Sequence, residues 1–105
     1  MIAWRLAAAA VLGLAAACGR PAPRSYTVEI RGFAYLPATL EVTAGDTVVW
    51  INRDVVPHTA TRDGQGWDSG SIEAEQTWRL VAASGASQSY YCAFHPNMRG
   101  VLAVR

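Results

Sequence analysis

The sequence predicts an all-β fold, a small sandwich of short strands, and three observations carry that prediction. From Ser25 onward, apolar and polar residues alternate with a period of two in several short runs. Gly, Pro, Asp and Ser break those runs at close intervals, and no stretch after Ser25 shows a helical period. Six or seven short alternating runs separated by turn residues are the pattern of two packed sheets. At 105 residues the chain has room for one such domain and no second one.

Residues 1–17 stand outside that domain and read as an export signal. Arg5 supplies a short positive start, Leu6 to Ala17 is apolar, and Ala15-Ala16-Ala17 offers the small residues that cleavage requires. The apolar part is shorter than the roughly 20 residues of a spanning helix. Cys18 follows directly, and Leu14-Ala15-Ala16-Ala17-Cys18 resembles the lipobox of bacterial lipoproteins, in which the cysteine becomes the lipidated first residue. The aliphatic residue usual three positions before that cysteine is here Ala15, with Leu14 one position early. A lipid anchor at Cys18 and release of a free chain therefore both stay open. Residues 18–24, with Pro21 and Pro23, have the composition of an extended tether, which leaves 25–105 for the domain.

Each strand of the domain has its own signature. Tyr26, Val28 and Ile30 share one face, and Thr27, Glu29 and Arg31 the other. Leu40 and Val42 repeat this after Pro37. Ala44-Gly45-Asp46 turns the chain into Thr47-Val48-Val49-Trp50-Ile51-Asn52, β-branched or aromatic almost throughout. Asn52-Arg53-Asp54 closes that strand, and Val55 to Thr61 is predicted as a loop entering a short strand. A polar, Gly-rich segment surrounds Trp67. Gln76 to Val81 is another strand, with Trp78 and Leu80 on one face. After a turn over 82–87, Ser89 to Cys92 and Gly100 to Val104 are the last two strands.

Composition excludes several functions. All nine basic residues are arginine, and loss of residues 1–17 removes only Arg5, leaving eight arginines against eight acids. A neutral domain offers nucleic acid no electrostatic footprint. Two cysteines in an exported chain would ordinarily suggest a disulfide, but Cys18 sits in the processing site and Cys92 lies three residues before a histidine.

That histidine begins the functional reading. Cys92, His95 and Met98 place a thiolate, an imidazole and a thioether within seven residues, and His58 in Val56-Pro57-His58-Thr59 is the only other histidine. Two His, one Cys and one Met match a trigonal copper site with a long axial thioether. The Cys-x-x-His-x-x-Met spacing lets one loop hold an ion from three sides while a separate loop brings His58. Structural zinc favours several Cys and His with a strong fourth ligand, not a thioether. A Cys–His nucleophile pair would need an orienting third group and a substrate cleft, and the chain is read as a non-enzyme.

These motifs resemble the cupredoxins, the small blue copper proteins of plastocyanin and amicyanin type. Cys92, His95, Pro96 and Met98 match the family's shortest loop pattern, Cys-x-x-His-Pro-x-Met. Asn52-Arg53-Asp54-Val55-Val56-Pro57-His58 matches the segment of its first histidine, and Gly32 to Pro37 and Gly45 to Trp50 are similar as well. The resemblance implies a Greek-key β-sandwich with one type 1 copper ion at one end, held by His58, Cys92, His95 and Met98. It implies an apolar docking patch around the loop histidine, for which Pro57, Phe94 and Pro96 are the candidates. One departure is Thr59, where many relatives carry an Asn that ties the two ligand loops together. A hydroxyl can donate one such hydrogen bond, so that support is expected to be either weaker or differently routed.

The expected function is a monomeric one-electron carrier of the bacterial cell envelope, periplasmic and anchored through Cys18, exchanging electrons with a cytochrome or dehydrogenase. The alternative is a copper-delivery protein that handles the metal without shuttling electrons. A scarcity of Met, with only Met98 beyond the initiator, speaks against an open delivery site.

Overall fold

The computed structural model describes residues 22–85 and 87–105. The predicted export signal and Cys18 lie outside the described residues. Among these residues there is no helix. Eight strands form: β1 (Ser25–Ile30), β2 (Tyr35–Leu36), β3 (Thr39–Val42), β4 (Thr47–Asn52), β5 (Thr61–Arg62), β6 (Thr77–Val81), β7 (Gln88–Tyr91) and β8 (Arg99–Val104). They make two four-stranded sheets, ordered β2-β1-β4-β6 and β3-β8-β7-β5. The β1–β4 and β3–β8 pairs are parallel and the others antiparallel, so both sheets are mixed.

The predicted strands form within one or two residues of their expected ends. The additional element is β2, two residues long, whose antiparallel register pairs Ile30 with Tyr35 across a tight turn. A two-residue strand has no alternation to read, which is why it is invisible in the sequence.

Period-two burial drives the sandwich. Val28 and Ile30 on β1, Val48 and Trp50 on β4, Tyr90 on β7 and Leu102 on β8 are all fully buried. Removing such a side chain from water stabilises the fold by about 1.5–3 kcal/mol each. Trp50 is the hub: its ring packs against Trp67, Trp78 and Tyr90 at centroid separations of 5.4–5.6 Å. Tyr90 lies opposite Gly100 in the β7–β8 register. A Cβ at Gly100 would sit 2.3 Å from Cζ of the Tyr90 ring, so glycine is what lets the ring lie flat on β8.

The side-by-side strands β1 and β4 run in the same direction and end together at Ile30 and Asn52. At this pole the Arg53 amide donates to the Ile30 carbonyl (2.8 Å). All the residues singled out as ligands lie on connections that return over it.

Candidate metal centre

The loop carrying His58 is fixed by a buried asparagine. Asn52 is fully buried. Its Nδ2 donates to the carbonyls of Val56 (2.8 Å) and Ile72 (2.9 Å), and its Oδ1 accepts from the Asp54 amide (2.9 Å). His58 then pairs with Ile72 through two backbone hydrogen bonds, 3.2 and 2.7 Å. Both side-chain and backbone contacts therefore hold the histidine before any ion is bound.

The second loop is shaped by its own backbone. The His95 amide donates to the Cys92 carbonyl (3.3 Å), the Met98 amide to the His95 carbonyl (2.9 Å), and the Cys92 amide to the Met98 carbonyl (3.2 Å). Two successive turns thus fold Cys92–Met98 back on itself. Cys92, a free thiol, is fully buried and Met98 is 5% exposed. His95 is half-buried, and Pro96 and Asn97 beside it are exposed.

One donor atom each from His58, Cys92 and His95 converges, all within 4.8 Å of one another. Cys92 Sγ lies 3.7 Å from Nδ1 of each histidine, and the two Nδ1 atoms are 3.2 Å apart. Metal bonds of about 2.0–2.1 Å to imidazole nitrogen and about 2.3 Å to thiolate, spread about 120° apart, separate N from N by about 3.5 Å and N from S by about 3.8 Å. The donor triangle therefore has the size that one ion requires. Met98 closes the same loop.

Two residues that the sequence reading did not single out complete the site. Asp54 Oδ2 lies 2.9 Å from His58 Nε2. A carboxylate only accepts, so Nε2 carries the proton and Nδ1 presents its lone pair toward Cys92 and His95. The same carboxylate accepts from the amides of Gly32 (2.7 Å) and Phe33 (2.9 Å). Burial pushes the Asp54 carboxyl up, but the amides of Phe33 and Gly32 together with His58 outweigh it and hold it below the usual range. Phe33 is the second residue. Its backbone is left-handed, φ 58°, and its ring stands edge-on to both His58 (5.3 Å) and His95 (4.9 Å). The i, i+4 spacing of Asp54 and His58 was visible in the sequence. The pairing was not, because no periodic element joins them.

Thr59 supplies the rest. Its amide donates to Cys92 Sγ (3.3 Å), and its hydroxyl accepts from the Ala93 amide (2.8 Å). Of the two expected outcomes, weaker or differently routed support, the loops show the second: toward the cysteine loop the hydroxyl acts as acceptor, where donation was expected. Tyr35 donates its hydroxyl to the Thr59 carbonyl. Burial, with Cys92 and Tyr90 nearby, pushes the Tyr35 phenol far above its ordinary range, so it stays a donor. Of the predicted patch, Phe94 is 51% exposed, Pro96 is exposed and Pro57 is half-buried; Phe33, also 51% exposed, joins them.

Comparison with known proteins agrees with this geometry. Residues 23–105 match the family model of copper binding proteins, plastocyanin/azurin family. Amicyanin of Paracoccus denitrificans is 33% identical over 93 residues, covering 84% of this chain and 71% of that protein. The solved structure of an oxidised amicyanin variant superposes with a TM-score of 0.73 at 30% identity, covering 77% of this chain and 82% of the other. A Cu-containing nitrite reductase from Thermus scotoductus superposes with a TM-score of 0.71 at 27% identity, over 82% of this chain but 23% of the enzyme. The His58, Cys92, His95 and Met98 arrangement fits one type 1 copper ion. With a family model spanning the whole described domain, a donor triangle of the right size and a superposable sandwich, the chain belongs to the plastocyanin/azurin family of copper-binding proteins, the cupredoxins.

Proposed function

We propose that His58, Cys92, His95 and Met98 hold a single copper ion and that the protein is a one-electron carrier of the bacterial cell envelope, without turnover of its own. Bound copper supplies the Cu(I)/Cu(II) couple. The chain supplies constancy of geometry. Asn52 and Ile72 hold the backbone around His58, Asp54 sets its tautomer, and Thr59 holds Cys92 Sγ through its amide and the adjacent Ala93 amide through its hydroxyl. Ligands held before metal binding have little distance to move when an electron arrives or leaves.

The observation that carries this reading is the convergence of three donors from two separately braced loops, with Cys92 and His58 fully buried and His95 half-buried beside exposed Phe33 and Pro96. A buried thiolate with one imidazole near the surface suits transfer to a briefly docked protein, a cytochrome or a dehydrogenase. Residues 1–17 read as an export signal, 18–24 as a lipidated or free tether and 25–105 as the domain, and this reading supports a monomeric carrier outside the cytoplasm, anchored through Cys18 where that residue is lipidated. Strands running from Ser25 to Val104 support the domain limits.

Copper-loaded protein is expected to be intensely blue when oxidised, through the Cys92 thiolate, and to exchange electrons quickly with a small cytochrome. Colourless oxidised protein would refute the carrier reading, and rapid loss of copper to a chelator would indicate metal delivery instead.

A further inference from the structure

Thr59 is 3% exposed, and its hydroxyl stands 2.8 Å from the hydroxyl of Thr61. Thr61 Oγ1 in turn donates to Asp68 Oδ1 at 3.0 Å. The proton positions follow from counting. A carboxylate only accepts, and each threonine has one hydroxyl proton. The Thr61 proton is committed to Asp68, so the proton between the two threonines belongs to Thr59. With that proton turned away, the lone pairs of Thr59 Oγ1 face the Ala93 amide, which donates to them at 2.8 Å. The sequence is directional: Ala93 to Thr59 to Thr61 to Asp68.

The far end of the chain is anchored. Asp68 Oδ1 also accepts from the Gly70 amide (2.9 Å), and Asp68 bridges Thr61 in antiparallel pairing. Next to it the Ser69 amide donates to the Ala60 carbonyl (3.0 Å), and the Ala60 amide to Ser69 Oγ (2.8 Å). A hydroxyl that donates into a chain ending on an anion becomes a stronger acceptor at its other side.

We infer that Thr61 and Asp68 are positioning residues for the metal centre: through the hydroxyl of Thr59 they hold Ala93, and with it the Thr59 amide against Cys92 Sγ, in the geometry that sets the balance between reduced and oxidised copper. The inference rests on Cys92 as the sulfur ligand. A hydrogen bond to a thiolate favours the state in which sulfur carries more negative charge, the reduced one. Loosening the chain therefore disfavours Cu(I). Removing the charge of Asp68 does the reverse, because a nearby anion favours Cu(II). The two effects have opposite signs, which makes the chain separable from simple electrostatics.

The test uses Thr61→Val, Thr61→Ser and Asp68→Asn in the purified protein, with two readouts. Hydrogen exchange of the Ala93 amide in metal-free protein, referenced to the Val101 amide that donates to Ala38 in the other half of the sheet (2.8 Å), reads the chain without copper. In Thr61→Val it should quicken by about threefold to tenfold, the weight of one modest hydrogen bond. In the copper-loaded form, the Cu(I)/Cu(II) ratio at fixed potential should fall by about threefold to tenfold, about 30–60 mV for a one-electron couple. Thr61→Ser should restore both readouts. Asp68→Asn, which keeps an acceptor oxygen, should leave Ala93 exchange near the parent value and raise the ratio.

Unchanged Ala93 exchange in Thr61→Val would overturn the chain, whatever the copper does. Altered exchange with an unchanged potential would overturn its link to the metal. A shift of the same sign in Thr61→Val and Asp68→Asn, or failure of Thr61→Ser to restore, would assign the effect to charge or packing and refute the inference. Should Thr61→Val fail to fold, Asp68→Ala removes the terminal acceptor and must still accelerate Ala93 exchange. A protein that binds no copper fails the ligand assignment but leaves the exchange result standing.

Discussion

Asp54 joins the first-histidine loop, the Gly32-Phe33 turn and the imidazole of His58 through one carboxylate, so its replacement has a magnitude that can be worked out. Asp54→Ala removes three hydrogen bonds, from Gly32 N (2.7 Å), Phe33 N (2.9 Å) and His58 Nε2 (2.9 Å). The carboxylate is 13% exposed and the two amides lie at the surface, where water can replace part of what is lost. Each bond is therefore taken near the middle of the neutral range, giving a loss of about 2–3 kcal/mol in all. For a domain of this size that corresponds to a fall in melting temperature of about 10–20 °C. Losing the partner that orients a proposed ligand should also weaken copper binding by about 10–100-fold. Asp54→Asn separates the contributions. Its one oxygen, placed where Oδ2 stands, still accepts from Phe33 and His58, while its amide faces the Gly32 N–H donor to donor. It should lose about 1 kcal/mol and keep most of the copper affinity. Thermal unfolding of metal-free protein by circular dichroism reads the first quantity, and competition with a copper chelator the second. An Asp54→Ala variant that melts within about 2 °C of the parent and holds copper within about twofold would refute the role given to this carboxylate.

Gly100→Ala places a methyl 2.3–2.7 Å from three atoms of the fully buried Tyr90 side chain, two of the ring and the phenolic oxygen. It should destabilise by about 1–3 kcal/mol in urea unfolding, and a neutral result would show that the ring is free to move. Tyr90→Phe should do the opposite of what a lost hydroxyl usually does. Neither the Tyr90 hydroxyl nor Trp50 Nε1 has a hydrogen-bond partner among the described residues, and burial pushes the phenol up to about 12. Stability should stay level or rise by up to about 1 kcal/mol, and a loss beyond that would reveal a partner. Asp46 governs acid sensitivity at the pole where the tether enters. The Arg24 amide, then the Thr43 amide, hold its carboxyl below the usual range against the effect of burial. Its folded value lies below its unfolded one, so its contribution is present above about pH 4 and is lost as pH falls through the folded value. Asp46→Asn should flatten the fall of melting temperature below about pH 4, and an unchanged slope would exclude Asp46 as a source of acid sensitivity.

The strands and the ligand loop could be read from the chain because both are local. Alternation in Tyr26-Val28-Ile30 and the β-branched run Thr47–Asn52 state which face is buried, since a strand puts successive side chains on opposite faces. Cys92, His95 and Met98 lie close enough that two turns bring them together whatever the rest of the fold does. Even the departure at Thr59 was visible as a substitution with consequences.

Relations across the fold could not be read this way. Pairing β1 with β4 and β3 with β8 in parallel is decided by the packing of both sheets around Trp50, and neither pair is joined by a short turn that sequence would reveal. Asp54 reaches His58 only because Asn52 bends the intervening loop, and Phe33 meets both imidazoles only because that carboxylate holds its left-handed turn. By itself, then, the sequence determined the class of fold and the kind of metal, through periodicity and ligand chemistry that need no knowledge of distant contacts. Tertiary structure alone decided which carboxylate orients His58, and that the Thr59 hydroxyl accepts from Ala93 and meets the hydroxyl of Thr61. Hydrogen bonds between residues far apart in the chain exist only once folding has brought their donors and acceptors within about 3 Å.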